Sequence, residues 1–118
     1  LRNALLLQRV QYGAAALSTL DVMKMGTENG ARLLGFEKVG KIQEGWAADL
    51  AVFNVGKLEY SGSLADPLAA IIFSGYNHGA EYTIVNGQIA VEQGRLAGFD
   101  ETEIMNKCNA ISTKMLNA

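Results

Sequence analysis

Cysteine, histidine and proline each occur once in the 118 residues. A single thiol closes no internal disulfide, so nothing in the chain calls for an oxidising compartment and a reducing cytoplasm is the expected setting. One histidine and one cysteine cannot assemble a metal centre built from several His or Cys ligands, and carboxylates alone favour hard cations over zinc. Most hydrolytic metalloenzyme mechanisms are thereby excluded for these residues acting by themselves. An excess of one charge is also missing, since ten Lys and Arg stand against twelve Asp and Glu, a net −2. The ten cations are scattered from Arg2 to Lys114 rather than gathered into a patch that could neutralise phosphates, so no nucleic-acid partner is implied. No membrane partner is implied either.

What remains is the composition of an ordinary globular domain, 49% hydrophobic and 19% charged with 13 glycines. The length suffices for one core and not for two. The first residue is Leu1, and the opening reads as the middle of a helix with no start signal before it. The chain is therefore expected to be a segment of a longer protein.

Apolar positions Leu6, Val10, Gly13, Ala14 and Leu17 follow helical spacing, with Arg2, Gln8, Arg9 and Gln11 between them, which predicts an amphipathic helix over 1–17. Ser18 and Asp21 read as the start of a second helix, because a hydroxyl accepts from an open backbone N–H and the acid favours the positive helix end. Leu20, Met23, Thr27, Ala31 and Leu34 would share its inner face, and Gly35 would end it. Residues 41–43 have extended character, Glu44-Gly45 reads as a turn, and 49–55 as a strand. A polar loop over 56–65 leads to Asp66-Pro67, cap and first residue of a short helix through Ile72. Asn86-Gly87 between the strand-like runs 82–85 and 88–91 is the preferred two-residue hairpin loop. Asp100 and Glu103 have the spacing of a capping box, followed by a terminal helix with Ile104, Cys108, Ile111 and Met115 on one stripe.

Few residues carry candidate chemistry. His78 is the single conventional general base, yet no partner acid stands at a recognisable spacing, so an exposed loop position is expected. Cys108 lies on the apolar stripe of the last helix and is expected to be a buried core thiol rather than a nucleophile. Asp49, at a strand start, is expected to complete a turn by accepting backbone N–H groups. Trp46 is expected to pack beside the turn at Gly45. Neither glycine-rich phosphate-binding pattern occurs.

Four ordered motifs point further. Thr27-Glu28-Asn29-Gly30-Ala31-Arg32-Leu33-Leu34-Gly35, then Val39-Gly40-Lys41-Ile42-Gln43-Glu44-Gly45, then Ala48-Asp49-Leu50-Ala51-Val52-Phe53, then Ile84-Val85-Asn86-Gly87 together resemble the C-terminal segment of the metal-dependent amidohydrolase superfamily. The chain is most similar to the aminohydrolases of the cytosine deaminase and chlorohydrolase group. Residues 66–73 and 92–96 look particularly like 8-oxoguanine deaminases.

The resemblance implies an α+β chain. Residues 1–35 would be the last helices of a TIM-barrel domain, 36–99 the C-terminal part of a small composite β-sandwich, and 100–118 a closing helix. It also implies a parent enzyme that uses zinc or iron to deaminate a purine, pyrimidine or triazine ring. In such enzymes the metal is held by a His-x-His pair, further histidines and an Asp that precede this stretch. His78 is in no His-x-His, and neither Asp49 nor Asp66 ends a strand followed by a barrel helix. No catalytic, cofactor-binding or metal-binding residue is therefore expected in this chain, nor any cofactor bound by it alone. Unpaired sheet edges and uncovered helix faces predict a homo-oligomer. A free-standing α+β interaction module and a cyclic amide hydrolase of the hydantoinase or imidazolonepropionase kind are the alternatives.

Overall fold

A computed structural model describes residues 1–74 and 79–117. The elements run α1 (Arg2–Tyr12), α2 (Thr19–Gly26), α3 (Glu28–Leu33), β1 (Leu50–Val52), a 3-10 turn (Leu58–Tyr60), α4 (Pro67–Phe73), β2 (Tyr82–Val85), β3 (Gln88–Glu92), β4 (Arg95–Leu96) and α5 (Glu101–Leu116). Helices and one small antiparallel sheet thus share the chain, as the α+β reading requires.

The core lies where α1, α2 and α4 meet. Leu5 and Val22 are completely buried and Ile72 nearly so, with Leu17 and Met23 packed against them. Two arginines of α1 fasten this corner. Arg2 donates from Nε to the Ile72 carbonyl (2.7 Å) and from Nη2 to that of Phe73 (3.2 Å), satisfying carbonyls that the end of α4 leaves open. Arg9, seven residues on, donates from Nε and Nη2 to the Leu17 carbonyl (3.0 and 2.8 Å) and lies 5.9 Å from the centre of the Phe73 ring.

Several expectations are corrected here. The first helix ends at Tyr12 rather than Leu17, because the Gly13 N–H closes its last bond onto Arg9 and Arg9 then folds residues 13–17 back by holding Leu17. The predicted inner face of α1 was one position off. Leu5 is buried whereas Leu6 is 43% and Val10 87% exposed. Apolar residues lie on several sides of α1, and the single neighbour that α2 and α4 provide decides which side is inward. The helix expected after Ser18 is two helices. The Thr27 hydroxyl bonds to the Met23 carbonyl (2.8 Å), taking the acceptor that the next helical N–H would use, and the backbone leaves helical geometry there. Val22, absent from the predicted face, is buried, while Leu20 and Leu34 are exposed.

The four strands lie in the order β1-β2-β3-β4, each pair antiparallel. Leu50 pairs with Ile84, and Val85 with Gln88 across the predicted hairpin. Asn86 and Gly87 both take positive φ (48° and 80°), the requirement of the tight turn that matches strand twist. A second turn of the same form at Gln93-Gly94 (φ 50° and 75°) adds β4, a strand missing from the sequence reading because Gln is an uncommon residue at that position. Residues 41–43 pair with no strand among the described residues. Their neighbour Trp46 instead closes a turn onto the Gln43 carbonyl (3.1 Å). The strand expected over 49–55 shortens to β1, and the loop over 56–65 contains the 3-10 turn, whose Tyr60 is buried.

No residue of β1 to β4 and none of α5 is buried. The chain exposes 9016 Å², against about 6,200 Å² for a compact monomer of 12.6 kDa. Its radius of gyration is 17.9 Å, where a compact chain of this length would have about 13.5 Å.

Candidate functional site

The four motifs converge in pairs. Gly40 approaches the start of α3 so closely that a Cβ there would lie 2.7 Å from the Glu28 nitrogen and 2.8 Å from the Glu28 Cα, and its φ is 91°. Glycine is the residue that combines this φ with this approach. Beside it Lys41 Nζ sits 2.6 Å from Glu28 Oε2, and that hydrogen bond and charge hold the Glu28 carboxyl below the ordinary glutamate range. Lys41 Nζ also lies 5.7 Å from the centre of the half-buried Trp46 ring. Trp46 therefore flanks its turn as expected and also faces a cation. A shallow cleft of about 250 Å³ runs along these residues between Arg32, Phe36 and Trp46. Its Glu28 and Lys41 are already spent on each other.

The second pair joins Asp49 to the hairpin. Asp49 Oδ1 accepts the Asn86 backbone N–H (2.7 Å), and the Ala48 carbonyl accepts that of Gly87 (3.0 Å). Asp49 thus completes a turn through one backbone N–H group, but the turn is 37 residues away rather than its own. Asp66 caps α4 by accepting from Ala69 N–H (2.9 Å), with Pro67 following it.

Cys108 corrects an expectation. It is exposed rather than buried, and so are Ile104, Ile111 and Met115 of the same stripe, because among the described residues nothing buries this face of α5. The helix is anchored at its start. Asp100 accepts from Thr102 and Glu103 N–H, and Glu101 Oε1 accepts from Leu96 N–H (2.8 Å). Glu103, expected to reach back to Asp100, lies 2.6 Å from Lys107. His78 lies outside the described residues. The roles of Arg2 and Arg9 escaped the sequence reading, although their spacing of seven on one helix places both on a single face.

Among the described residues no three His, Cys, Asp or Glu side chains come together to hold a metal ion. No helix among them is long and apolar enough to cross a membrane. Three carboxylates of or beside the motifs serve other partners: Glu28 a lysine, Asp49 and Asp66 one backbone N–H group each.

The sequence pattern of the Amidohydrolase family matches residues 1–90. The chain belongs to the amidohydrolase family. It is 33% identical over 115 residues to the 8-oxoguanine deaminase of Pseudomonas aeruginosa, covering 98% of this chain and 25% of that protein. It is 35% identical over 113 residues to the 5-methylthioadenosine/S-adenosylhomocysteine deaminase of Pyrococcus abyssi, covering 95% of this chain and 26% of that one. The chain therefore spans about a quarter of the length of the curated relatives it matches.

Among solved structures, it superposes on atrazine chlorohydrolase from Arthrobacter aurescens complexed with zinc with a TM-score of 0.86. That match has 30% identity over 92% of this chain and 24% of the enzyme. An adenosine deaminase from Xanthomonas campestris with bound zinc gives a TM-score of 0.90 and 25% identity over 99% of this chain and 27% of that one. Zinc is thus bound in two similar amidohydrolases, and the donors among the described residues form no cluster that would hold it. The one cysteine stands exposed on α5, and Glu28, Asp49 and Asp66 are committed as described.

Proposed function

We propose that this chain serves a metal-dependent aminohydrolase that replaces an amino group on a ring carbon of a small heterocycle with oxygen from water, releasing ammonia. The observation that carries this reading is the similarity to 8-oxoguanine deaminase over 98% of the chain. The likeness to atrazine chlorohydrolase supports a second reading, displacement of chloride from a triazine, which is the same substitution at a ring carbon with another leaving group. Zinc is the metal of the similar solved structures. In this reading residues 1–35 belong with a barrel domain, 36–99 with a composite sandwich and 100–118 with a closing helix. The metal ligands and the acid–base groups come from residues outside the 118, and this stretch contributes scaffold. A free-standing interaction module and a cyclic amide hydrolase have less support, since the similar curated proteins named above are deaminases.

The test has two arms. Sequencing the coding region upstream of Leu1 should reveal a barrel with metal-binding histidines, and the protein including that region should release ammonia from an aminopurine. A coding region without them would overturn the enzyme reading. The 118-residue chain alone, after dialysis, should retain no stoichiometric zinc and release no ammonia, and both appearing together would overturn the scaffold role.

The area exposed beyond that of a compact monomer, about 2,800 Å² per chain, is as large as one partner's share of a large obligate interface. For the 118-residue chain by itself we propose a second copy as the cover. Sedimentation equilibrium should show a species of at least twice 12.6 kDa, and a folded species that stays at 12.6 kDa at every concentration would rule it out.

A further inference from the structure

Asn-Gly is the dipeptide most prone to spontaneous loss of its side-chain amide, because glycine leaves the following backbone nitrogen unshielded. In that reaction the Gly87 nitrogen would attack Asn86 Cγ. The N–Cγ bond forms and the Cγ–Nδ2 bond breaks. Nδ2 leaves as ammonia, taking the proton that the Gly87 nitrogen gives up. Water then opens the cyclic imide at either carbonyl, returning a proton to nitrogen and leaving aspartate or isoaspartate. Water is the only co-reactant.

Asn86 and Gly87 are both exposed, so water has access to the site. The two N–H groups that matter are nevertheless occupied. Gly87 N–H is donated to the Ala48 carbonyl (3.0 Å), so the attacking nitrogen keeps its proton and its direction. Asn86 N–H is donated to Asp49 Oδ1 (2.7 Å), which fixes the residue at φ 48° within the turn. The Asp49 carboxylate also places negative charge beside a peptide that would have to become anionic to react. We propose that Asn86-Gly87 is a latent deamidation site that Ala48 and Asp49 hold closed.

Conversion would be one-way. Aspartate at position 86 sets a second carboxylate beside Asp49, and isoaspartate adds a methylene to the backbone where Val85 pairs with Gln88. Either product disfavours re-closure, so the modified fraction would record how often β1 has parted from the hairpin.

A second Asn-Gly, Asn29-Gly30, lies within α3 and serves as an internal reference. The protein is incubated at mildly alkaline pH, and amide loss at both positions is followed by peptide mass spectrometry, native and in urea. Asn86 should convert far more slowly in the native protein than in urea, and equal rates would overturn the proposal without any variant. Asp49→Ala should accelerate conversion at Asn86 by roughly tenfold, the loss of one charge-assisted hydrogen bond, with Asn29 unchanged. Asp49→Asn, which keeps an oxygen acceptor, should stay closer to the native rate. If Asp49→Ala also accelerates Asn29, the fold has opened as a whole, and the decision passes to Asp49→Asn and the urea ratio. An Asn86 rate unchanged in Asp49→Ala while Gly87 amide exchange has risen would overturn the guarding role.

Discussion

The helical corner and the sheet with α5 are built on different physics. Around Leu5, Val22 and Ile72 three helices exclude water, and two arginines close the open carbonyls at the edge. In the sheet and α5 nothing is buried, and order comes from turns, caps and backbone hydrogen bonds. The first region is stabilised by area removed from water, the second by local conformational preference. A sheet and a helix that hold their shape by turn chemistry have apolar surface left for a partner, as the scaffold role proposed above requires.

The sharpest way to break the comparison is equivalent truncation on both sides. Leu5→Ala should destabilise by about 2 to 5 kcal/mol, because it removes a fully buried side chain whose surroundings collapse only in part. Ile111→Ala, on the uncovered stripe of α5, should change stability by no more than about 0.5 kcal/mol in the monomer. Urea denaturation midpoints measure both. Equal effects would mean that α5 is as tightly packed as the helical corner.

Backbone chemistry should dominate in the sheet. Gly87→Val forces a β-branched residue toward positive φ at a cost of about 1 to 3 kcal/mol, although a Cβ there would touch nothing within 4 Å. An unchanged denaturation midpoint would show that the turn is free to adopt another form.

The smallest expected effect lies at the contact between the first two motifs. Lys41 lowers the Glu28 carboxyl below its ordinary value of 4.5, so the unfolded chain takes up the proton before the folded one does. The contribution of this pair is complete above that ordinary value and is lost as the pH falls through it toward the folded value. Wild type and Glu28→Gln, unfolded in urea from about pH 6 to about pH 3, should therefore differ at the upper end and converge at the lower. Curves that stay parallel would remove the ion pair from the account. The same direction applies to Asp21, whose carboxyl is lowered chiefly by its hydrogen bonds with Ser18.

The sequence by itself determined what depends on neighbours within four residues. The Ser18–Asp21 box forms with both of its arms, Asp66-Pro67 starts α4, Asp100 caps α5, and Asn86-Gly87 turns the hairpin. The ordered motifs also sufficed to place the chain in its family. Each of these is a local bond or a backbone preference that side chains encode wherever the segment sits. Only the tertiary structure decided which face of α1 is inward, since apolar residues ring that helix and its neighbours cover one side. It likewise decided that Asp49 serves a turn 37 residues away and that Gly40 lies against the start of α3. Cys108 is exposed for the same reason: an apolar stripe states a preference for cover, but burial requires a neighbour, and no residue of α5 is buried among the described residues.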